Sequence, residues 1–259
     1  MTAAVPGDSV VLSALEFDVA WEQERLPSRH AALSVPSPGT THSERAELVE
    51  RAWHDLTRRG LVRGGQITGE LLDMLAVLAQ PAALFDTWVW ADRRISAVAA
   101  STGTDAILGV VDGDEVWLIP VACDALASAA VSVAGKFEAG PGQSVTLPYE
   151  LLREADAEAR GDPHALVTAL ADRGVELWEA QEVAGMFLGT VCRCQIGAER
   201  HGRQGQRRRG ARVVAFHDTD AGRYLFQVQD TGGERYWSTL APASNQLLTE
   251  RAWELLDEV

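Results

Sequence analysis

His217 and Asp218 are the nearest that this sequence comes to a catalytic acid–base pair. A histidine beside a carboxylate can exchange a proton, but catalysis also needs a nucleophile and an orienting group in the same place. The six histidines fall in different predicted elements, and neither Gly-X-Ser-X-Gly nor His-Glu-X-X-His occurs. We therefore interpret His217 as a strand-end residue before a turn and expect no enzyme, with catalysis by His217 and Asp218 as the alternative.

Cys192, Cys194 and His201 offer metal-ligating side chains at close spacing. Structural zinc sites use four ligands, and their paired thiolates are usually two residues apart, so that they converge from a turn. Cys-X-Cys instead places two side chains on one face of a strand, in step with Ile196. We expect these thiols to pack in the core and to hold no metal or cofactor. With Cys123 the number of thiols is odd, which favours a reducing compartment.

Six arginines fall between residues 200 and 212, in a chain with a formal net charge of −14 and a pI of about 4.8. An acidic protein repels nucleic acid, and this stretch has little of the aromatic content that stacks on bases. Two interpretations stay open for Arg203, Arg207, Arg208 and Arg209. They form either a solvated loop or an electrostatic contact with an acidic protein surface.

The first ten residues, MTAAVPGDSV, contain no basic stretch, and two acidic residues interrupt the apolar segment that follows. We expect no signal peptide and no membrane insertion, because no apolar run is long enough to span a bilayer. The chain is 46% hydrophobic and 23% charged, which is typical of a globular protein. These features predict a cytoplasmic protein.

Helical and strand patterns follow each other in a fixed order in the first half of the chain. Ser13 with Glu16, and Thr41 with Glu44, have capping-box spacing and predict the starts of two helices. A third helix is predicted over residues 68–80. Four strands separated by turn residues come next, at residues 85–91, 95–101, 106–111 and 116–121. An alanine-rich helix over residues 124–134 completes the set.

The same order recurs in the second half. Helices are predicted at 149–159, 162–174 and 179–188, strands at 190–198, 211–217, 223–229 and 235–240, and a last helix at 244–257. This repeat predicts an N-terminal half at residues 1–134, a linker at 135–147 and a C-terminal half at 148–259, which together form one domain. The fold class is α+β, with an antiparallel sheet shared by two pseudo-two-fold related halves.

Four stretches of the sequence resemble the EspG family. They are LSALEFDVAWEQERLPSRHAALSVPSPGTTHSERAELVERAWHDLTRRGL at residues 12–61, ITGELLDMLAVLAQP at 67–81, HDTDAGRYL at 217–225 and YWSTLAPAS at 236–244. The order and spacing of these stretches, followed by a closing amphipathic helix, are specific together. The resemblance implies an EspG-like domain, in which helical bundles flank the central antiparallel sheet.

The resemblance also implies a function without turnover or cofactor. EspG proteins are cytosolic chaperones of type VII (ESX) secretion, which bind PE–PPE helical heterodimers through the sheet and the C-terminal helical bundle. They cover an apolar tip of the PPE partner and help to route the pair to its secretion machine. A PE–PPE-like pair or another helical type VII substrate is therefore the expected partner.

Strand alternation selects the polar positions that we expect to border the partner surface. Arg193 and Gln195 point opposite to Cys192, and Gln227 and Gln229 point opposite to Phe226. With Arg203, Arg207, Arg208 and Arg209, they form the predicted partner-binding set. Two alternatives stay open for function, a structural or regulatory component of the secretion system and an enzyme of unknown class. A homodimer stays open as an oligomeric state.

Overall fold

A computed structural model describes residues 9–202, 206–230 and 235–259 of the chain. Within this part, the helices are α1 Ala14–Gln23, α2 His42–Arg58, α3 Gly69–Ala79, α4 Leu126–Ser132, α5 Tyr149–Ala159, α6 Pro163–Asp172, α7 Leu177–Phe187 and α8 Asn245–Asp257. The strands are β1 Val10–Ser13, β2 Val62–Arg63, β3 Gln66–Ile67, β4 Ala83–Trp90, β5 Arg94–Ser101, β6 Ala106–Asp112, β7 Glu115–Val121, β8 Val145–Pro148, β9 Thr190–His201, β10 Arg207–Arg209, β11 Val214–Thr219, β12 Gly222–Asp230 and β13 Tyr236–Pro242. Two short 3-10 helices lie at Ala31–Leu33 and Cys123–Ala125.

One antiparallel sheet runs through the molecule in the order β1-β7-β6-β5-β4-β9-β11-β12-β13-β8, with β10 also paired to β9. The halves meet where β4 pairs with β9, from Ala83 opposite Arg200 to Trp90 opposite Arg193. On each side of this seam, four consecutive strands pair with their chain neighbours, and a short strand from before the helices forms the edge. The predicted α+β fold with two pseudo-two-fold related halves is confirmed.

The sequence patterns did not predict the edge strands β1 and β8. Each has four residues, which is too few for a clear alternating pattern, and each runs directly into a helix. Pro148 ends β8 and lies just before α5, whose bounds agree with the helix predicted at 149–159. The division of the chain at residues 134/135 and 147/148 stays a prediction.

The helix starts follow from the capping residues. Ser13 and Thr41 each accept a hydrogen bond from the backbone of the glutamate three residues on, whose side chain bonds back to the cap. Such reciprocal bonds satisfy N–H groups that the first turn leaves free. Asp162 caps α6, with Pro163 at its first turn. Gly60, at φ +75°, ends α2, and the N–H of Leu61 bonds to the carbonyl of Leu56.

The two faces of the sheet carry different helices, because alternate residues of each strand point to opposite sides. Face A, which includes Trp88 and Gln195, carries α1 and α3 over the N-terminal strands and α5 to α7 over the C-terminal strands. Face B, which includes Cys194 and Phe216, carries α4 and α8, which pack against each other and against both halves. The sheet is thus covered at both ends of face A and across the centre of face B.

Candidate partner-binding groove

The strands at the seam present two tryptophans on face A between the two helical groups. Trp88 lies opposite Gln195, and Trp90 lies opposite Arg193. The indole rings stack with centroids 6.4 Å apart, and Trp88 Nε1 donates a hydrogen bond of 2.9 Å to Asp86. Trp90 is 44% exposed. A large aromatic side chain held rigidly at a half-open site is a common anchor for a protein partner.

A groove lies beside these tryptophans, and we call it the face A groove. Its first part has a volume of about 410 Å³ and is bounded by Trp90, Phe187 and Phe226 of the sheet and α7, with Tyr149 and Arg153 of α5. A second part of about 460 Å³ shares Ala215 and Phe226 with the first and extends to Tyr236, which is 49% exposed. The groove is therefore open, apolar and formed by the central strands together with C-terminal helices.

The predicted partner-binding residues do not all lie in this groove. Arg193 and Gln195 line it from β9. Gln227 and Gln229 project from face B instead, since their neighbour Phe226 pairs with Ala215 and shares face A with Gln195. Alternation within each strand holds as predicted, but the register between strands puts the two pairs on opposite sides of the sheet. Contact of either pair with a partner stays a prediction.

The arginine-rich segment is only partly solvated. Arg207 and Arg209 in β10 bond to Glu199, with the shortest contacts at 2.5 and 2.6 Å, and Arg209 also bonds to Asp86 at 2.7 Å. We call these four residues the seam cluster. Arg208 alternates to the other side of β10 and is exposed. Arg203 lies outside the described residues.

The carboxylates of the seam cluster are buried, whereas its arginines reach the solvent. Burial alone would raise the pKa of Glu199, but hydrogen bonds from His30, Arg207 and Arg209 outweigh it and hold the pKa far below its ordinary value. The pKa of Arg209 is raised by its hydrogen bond to Asp86. Two acidic residues on β4 and β9 thus fix β10 against the seam.

A glycine makes room for this cluster. A side-chain Cβ at Gly197 would lie 2.4 Å from Arg209 Nη2 and 2.7 Å from Asp86 Oδ1, which is closer than non-bonded atoms approach. The sequence contained signals for the cluster, namely acidic residues at Asp86 and Glu199 and a glycine at 197, all inside predicted strands or at a strand end. Sequence reasoning left a solvated loop and an external acidic partner open for these arginines, and it missed the internal partners.

His217 and Asp218 cannot work as a pair, because consecutive strand residues point to opposite faces. The His217 ring stacks between Phe187 and Tyr224 on face A, and its Nε2 lies 2.8 Å from the carbonyl of Met186. Burial lowers the pKa of His217, so the neutral imidazole is favoured. These contacts describe a packed core histidine.

Asp218 forms a fully buried ion pair with Arg223 on face B, and we call these two residues the core pair. Arg223 Nε and Nη2 donate to the carboxylate at 2.6 and 2.9 Å, and both side chains have no exposed surface. The guanidinium also bonds to the carbonyls of Ala134 and Gly135 and lies 4.8 Å from the Phe216 ring centroid. The core pair therefore ties the C-terminal sheet to the segment that follows α4.

Cys192 and Cys194 lie side by side on face B in the core cluster beneath α4 and α8. His201 is on face A of the same strand, so the three-residue ligand set considered from sequence is not assembled. Packing of the two thiols in the core is as predicted. The thiols are free, and their Sγ atoms are 3.3 Å apart.

None of the helices in the described ranges combines the length and the apolar composition that crossing a bilayer requires.

Comparison with solved structures shows the same fold in another protein. The chain matches the structure titled "Structure of the Mycobacterium tuberculosis type VII secretion system chaperone EspG5 in complex with PE25-PPE41 dimer", with a TM-score of 0.76. The match covers 96% of this chain and 96% of the other, at 14% sequence identity. No curated protein matches the sequence.

The family model of the EspG family matches residues 13–254. Apart from Leu12, this range contains all four stretches that carried the resemblance, and it covers almost every described element, from α1 to α8. The chain therefore belongs to the EspG family.

Proposed function

We propose that this chain is a cytoplasmic, non-enzymatic chaperone of type VII secretion, which binds a PE–PPE-like helical heterodimer. Membership of the EspG family supports this function. The relative of the same fold is named as a chaperone and was solved with a PE25–PPE41 dimer. The single observation on this chain that carries the proposal is the open apolar groove on face A.

The shape of the groove suits a helical tip better than a small substrate. Its aromatic side chains stand on rigid strands and helices, so little side-chain entropy is lost on binding. Trp90, Phe187 and Phe226 supply the apolar contact area, and Arg193 and Arg153 supply charge at the rim. Burying a partner's exposed apolar tip here removes that surface from water and keeps the partner dispersed by mass action.

The absence of turnover is part of the proposal. In the described part of the chain, His217 and Asp218 point to opposite faces, and the face A groove contains no other histidine. A catalytic site would bring acid, base and nucleophile together in a water-excluding pocket. The groove offers a broad contact surface instead.

Within the predicted partner-binding set, we propose that Arg193 and Gln195 contact the partner. They lie beside Trp90 at the seam and line the groove. Arg207 and Arg209 are bonded internally, so their proposed role is to hold β10 next to the seam. Contacts of Gln227, Gln229, Arg203 and Arg208 with a partner stay separate predictions, to be tested as single variants.

Co-expression with a PE–PPE-type pair encoded near the gene, followed by size-exclusion chromatography, tests the chaperone function. We expect co-elution as one complex. Trp90→Ala is expected to weaken binding by about 2 kcal/mol, which is about 30-fold in Kd, because it removes an aromatic anchor. Affinity is measured by calorimetry on the purified components.

Trp178→Ala is the matched control, since Trp178 in α7 is 52% exposed and lies outside the lining of both parts of the groove. We expect it to bind like the wild-type chain. If the complex forms and Trp90→Ala binds with unchanged affinity, the groove is not the binding site, but the proposed chaperone function still holds. Failure of every co-expressed pair to bind, with association with membrane components of the machine instead, would favour the structural or regulatory role.

A further inference from the structure

Face B contains a second opening that the proposed function does not use. This face B cleft has a volume of about 500 Å³ and lies between the N-terminal strands and the segment after α4. Val89, Val110, Trp117 and Phe137 form much of its apolar wall. Cys192 and Asp218 lie on its surface, and Cys194, the next residue of β9 on this face, contacts Cys192 through its sulfur.

The strand geometry forces the two thiols together. Cys192 and Cys194 are two residues apart on β9, so both side chains point to face B, and their Sγ atoms approach to 3.3 Å. Cys192 is 9% exposed and Cys194 is 3% exposed. A carboxylate oxygen of Asp218 lies within 4.8 Å of both sulfur atoms. A soft donor pair therefore sits at the inner end of an apolar cleft.

We propose that Cys192 and Cys194 bind one soft monovalent metal ion of the Cu(I) class at the inner end of the face B cleft. Thiolate sulfur favours Cu(I), Zn²⁺ and iron–sulfur clusters, and the clusters are usually held by four cysteines. A structural Zn²⁺ site requires four ligands. Among the described residues, the third candidate donor here is Asp218, which Arg223 already holds through two hydrogen bonds.

The surroundings suit a two-sulfur complex. Binding replaces two S–H protons by one Cu(I) ion and releases both protons, which leaves a unit with a net charge of −1. The nearby carboxylate of Asp218 is already paired with Arg223, which donates two hydrogen bonds to it at 2.6 and 2.9 Å. On the side formed by Val89, Val110, Trp117 and Phe137, the cleft offers no side-chain oxygen that would compete with sulfur for the metal.

An anaerobic titration with Cu(I) bound to a chromophoric chelator tests this site. We expect the wild-type chain to withdraw one equivalent of Cu(I), and the Cys192→Ser/Cys194→Ser variant to withdraw none. Cys123→Ser is the matched control, because Cys123 is also a free thiol but lies outside the face B cleft lining. We expect it to withdraw one equivalent like the wild type.

X-ray absorption at the copper edge of the wild-type complex gives a readout that does not depend on a folded variant. Two sulfur ligands are expected, and a shell of nitrogen and oxygen alone would overturn the proposal. It is also overturned if the wild-type chain leaves Cu(I) with the chelator. Equal withdrawal by a folded double-serine variant, checked by circular dichroism, would have the same consequence.

Discussion

The seam cluster and the core pair solve the same problem, a buried carboxylate, in two different ways. In the core pair, Asp218 and Arg223 are both fully enclosed. In the seam cluster, Asp86 and Glu199 are enclosed, but Arg207 is 53% exposed and Arg209 is 40% exposed. In the core pair, both the acid and the arginine are therefore shielded from water. In the seam cluster, only the acids are shielded.

This difference decides what happens when one partner is removed. Arg207 and Arg209 are partly exposed, so water can hydrate their guanidinium groups when the carboxylate that they bind is neutralised. The loss of folding stability is then limited to the lost hydrogen bonds. Neither group of the core pair can reach water. Removing one of them therefore leaves the other as an uncompensated buried ion. We therefore expect the core pair to control folding and the seam cluster to control the position of β10.

Arg223→Met should have the largest effect. It leaves the Asp218 carboxylate buried without its cation, and it removes donors from the carbonyls of Ala134 and Gly135. We expect the free energy of unfolding to fall by about 3–5 kcal/mol. Urea denaturation followed by tryptophan fluorescence measures the change.

The double variant Arg223→Met/Asp218→Leu is the control for this prediction. Replacing both charges by apolar groups removes the buried ion, so we expect a smaller loss than in the single variant. A single variant within about 1 kcal/mol of the wild-type stability would show that the core pair is not the cause of the predicted sensitivity.

Glu199→Gln should have an intermediate effect. It keeps the shape of the side chain but weakens the bonds from Arg207 and Arg209, which can rehydrate. We expect a loss of about 1–3 kcal/mol in the free energy of unfolding and faster proteolysis near β10. A loss as large as that of Arg223→Met would contradict the distinction between the two clusters.

The pH dependence of Glu199→Gln sharpens the same point. The pKa of Glu199 in the folded chain lies below its ordinary value of 4.5, so the folded state binds fewer protons than the unfolded state. The carboxylate therefore contributes stability above pH 4.5, and that contribution is lost as the pH falls toward the folded pKa. Below pH 4.5, we expect the difference in the free energy of unfolding between wild type and variant to become smaller. A difference that stays constant with pH would show that the charge of Glu199 is not the source of the stabilisation.

Gly197→Ala should have the smallest effect, about 1 kcal/mol of destabilisation, because the colliding Arg209 group lies at the end of a flexible side chain. Gly185→Ala in α7 is its matched control, since an added Cβ there meets no atom within 4 Å. We expect that substitution to stabilise the chain by up to about 1 kcal/mol through helix propensity. Thermal unfolding compares the two, and equal shifts would mean that Gly197 does not make room for the cluster.

Local patterns predicted most of the fold. The caps at Ser13 and Thr41 formed as their spacing indicated, because a capping box depends on residues three positions apart. The edge strands β1 and β8 were missed, because their pairing partners, and not their own four residues, define them. The C-terminal strands were displaced by a few residues, most clearly β11, which runs from Val214 to Thr219.

The site was less predictable than the fold, since it depends on pairing across the chain. The contact between Arg209 and Asp86 joins residues 123 positions apart, and no local spacing can reveal it. Strand alternation placed Gln195 and Gln227 correctly within their own strands. Only the register between β9, β11 and β12 shows that the two glutamines face opposite sides.

The short edge strands have a consequence for the molecule's behaviour at high concentration. An exposed sheet edge offers unpaired N–H and C=O groups to another sheet, and polymerisation can start there. In the described part of this chain, the long strands β4 and β9 are joined at the centre, while the outermost strands β1 and β8 have four residues each and β8 ends in Pro148. The order of the strands thus places the longest strands at the centre of the sheet, where their backbone groups are already paired. Only short strands at the edges can pair with another molecule.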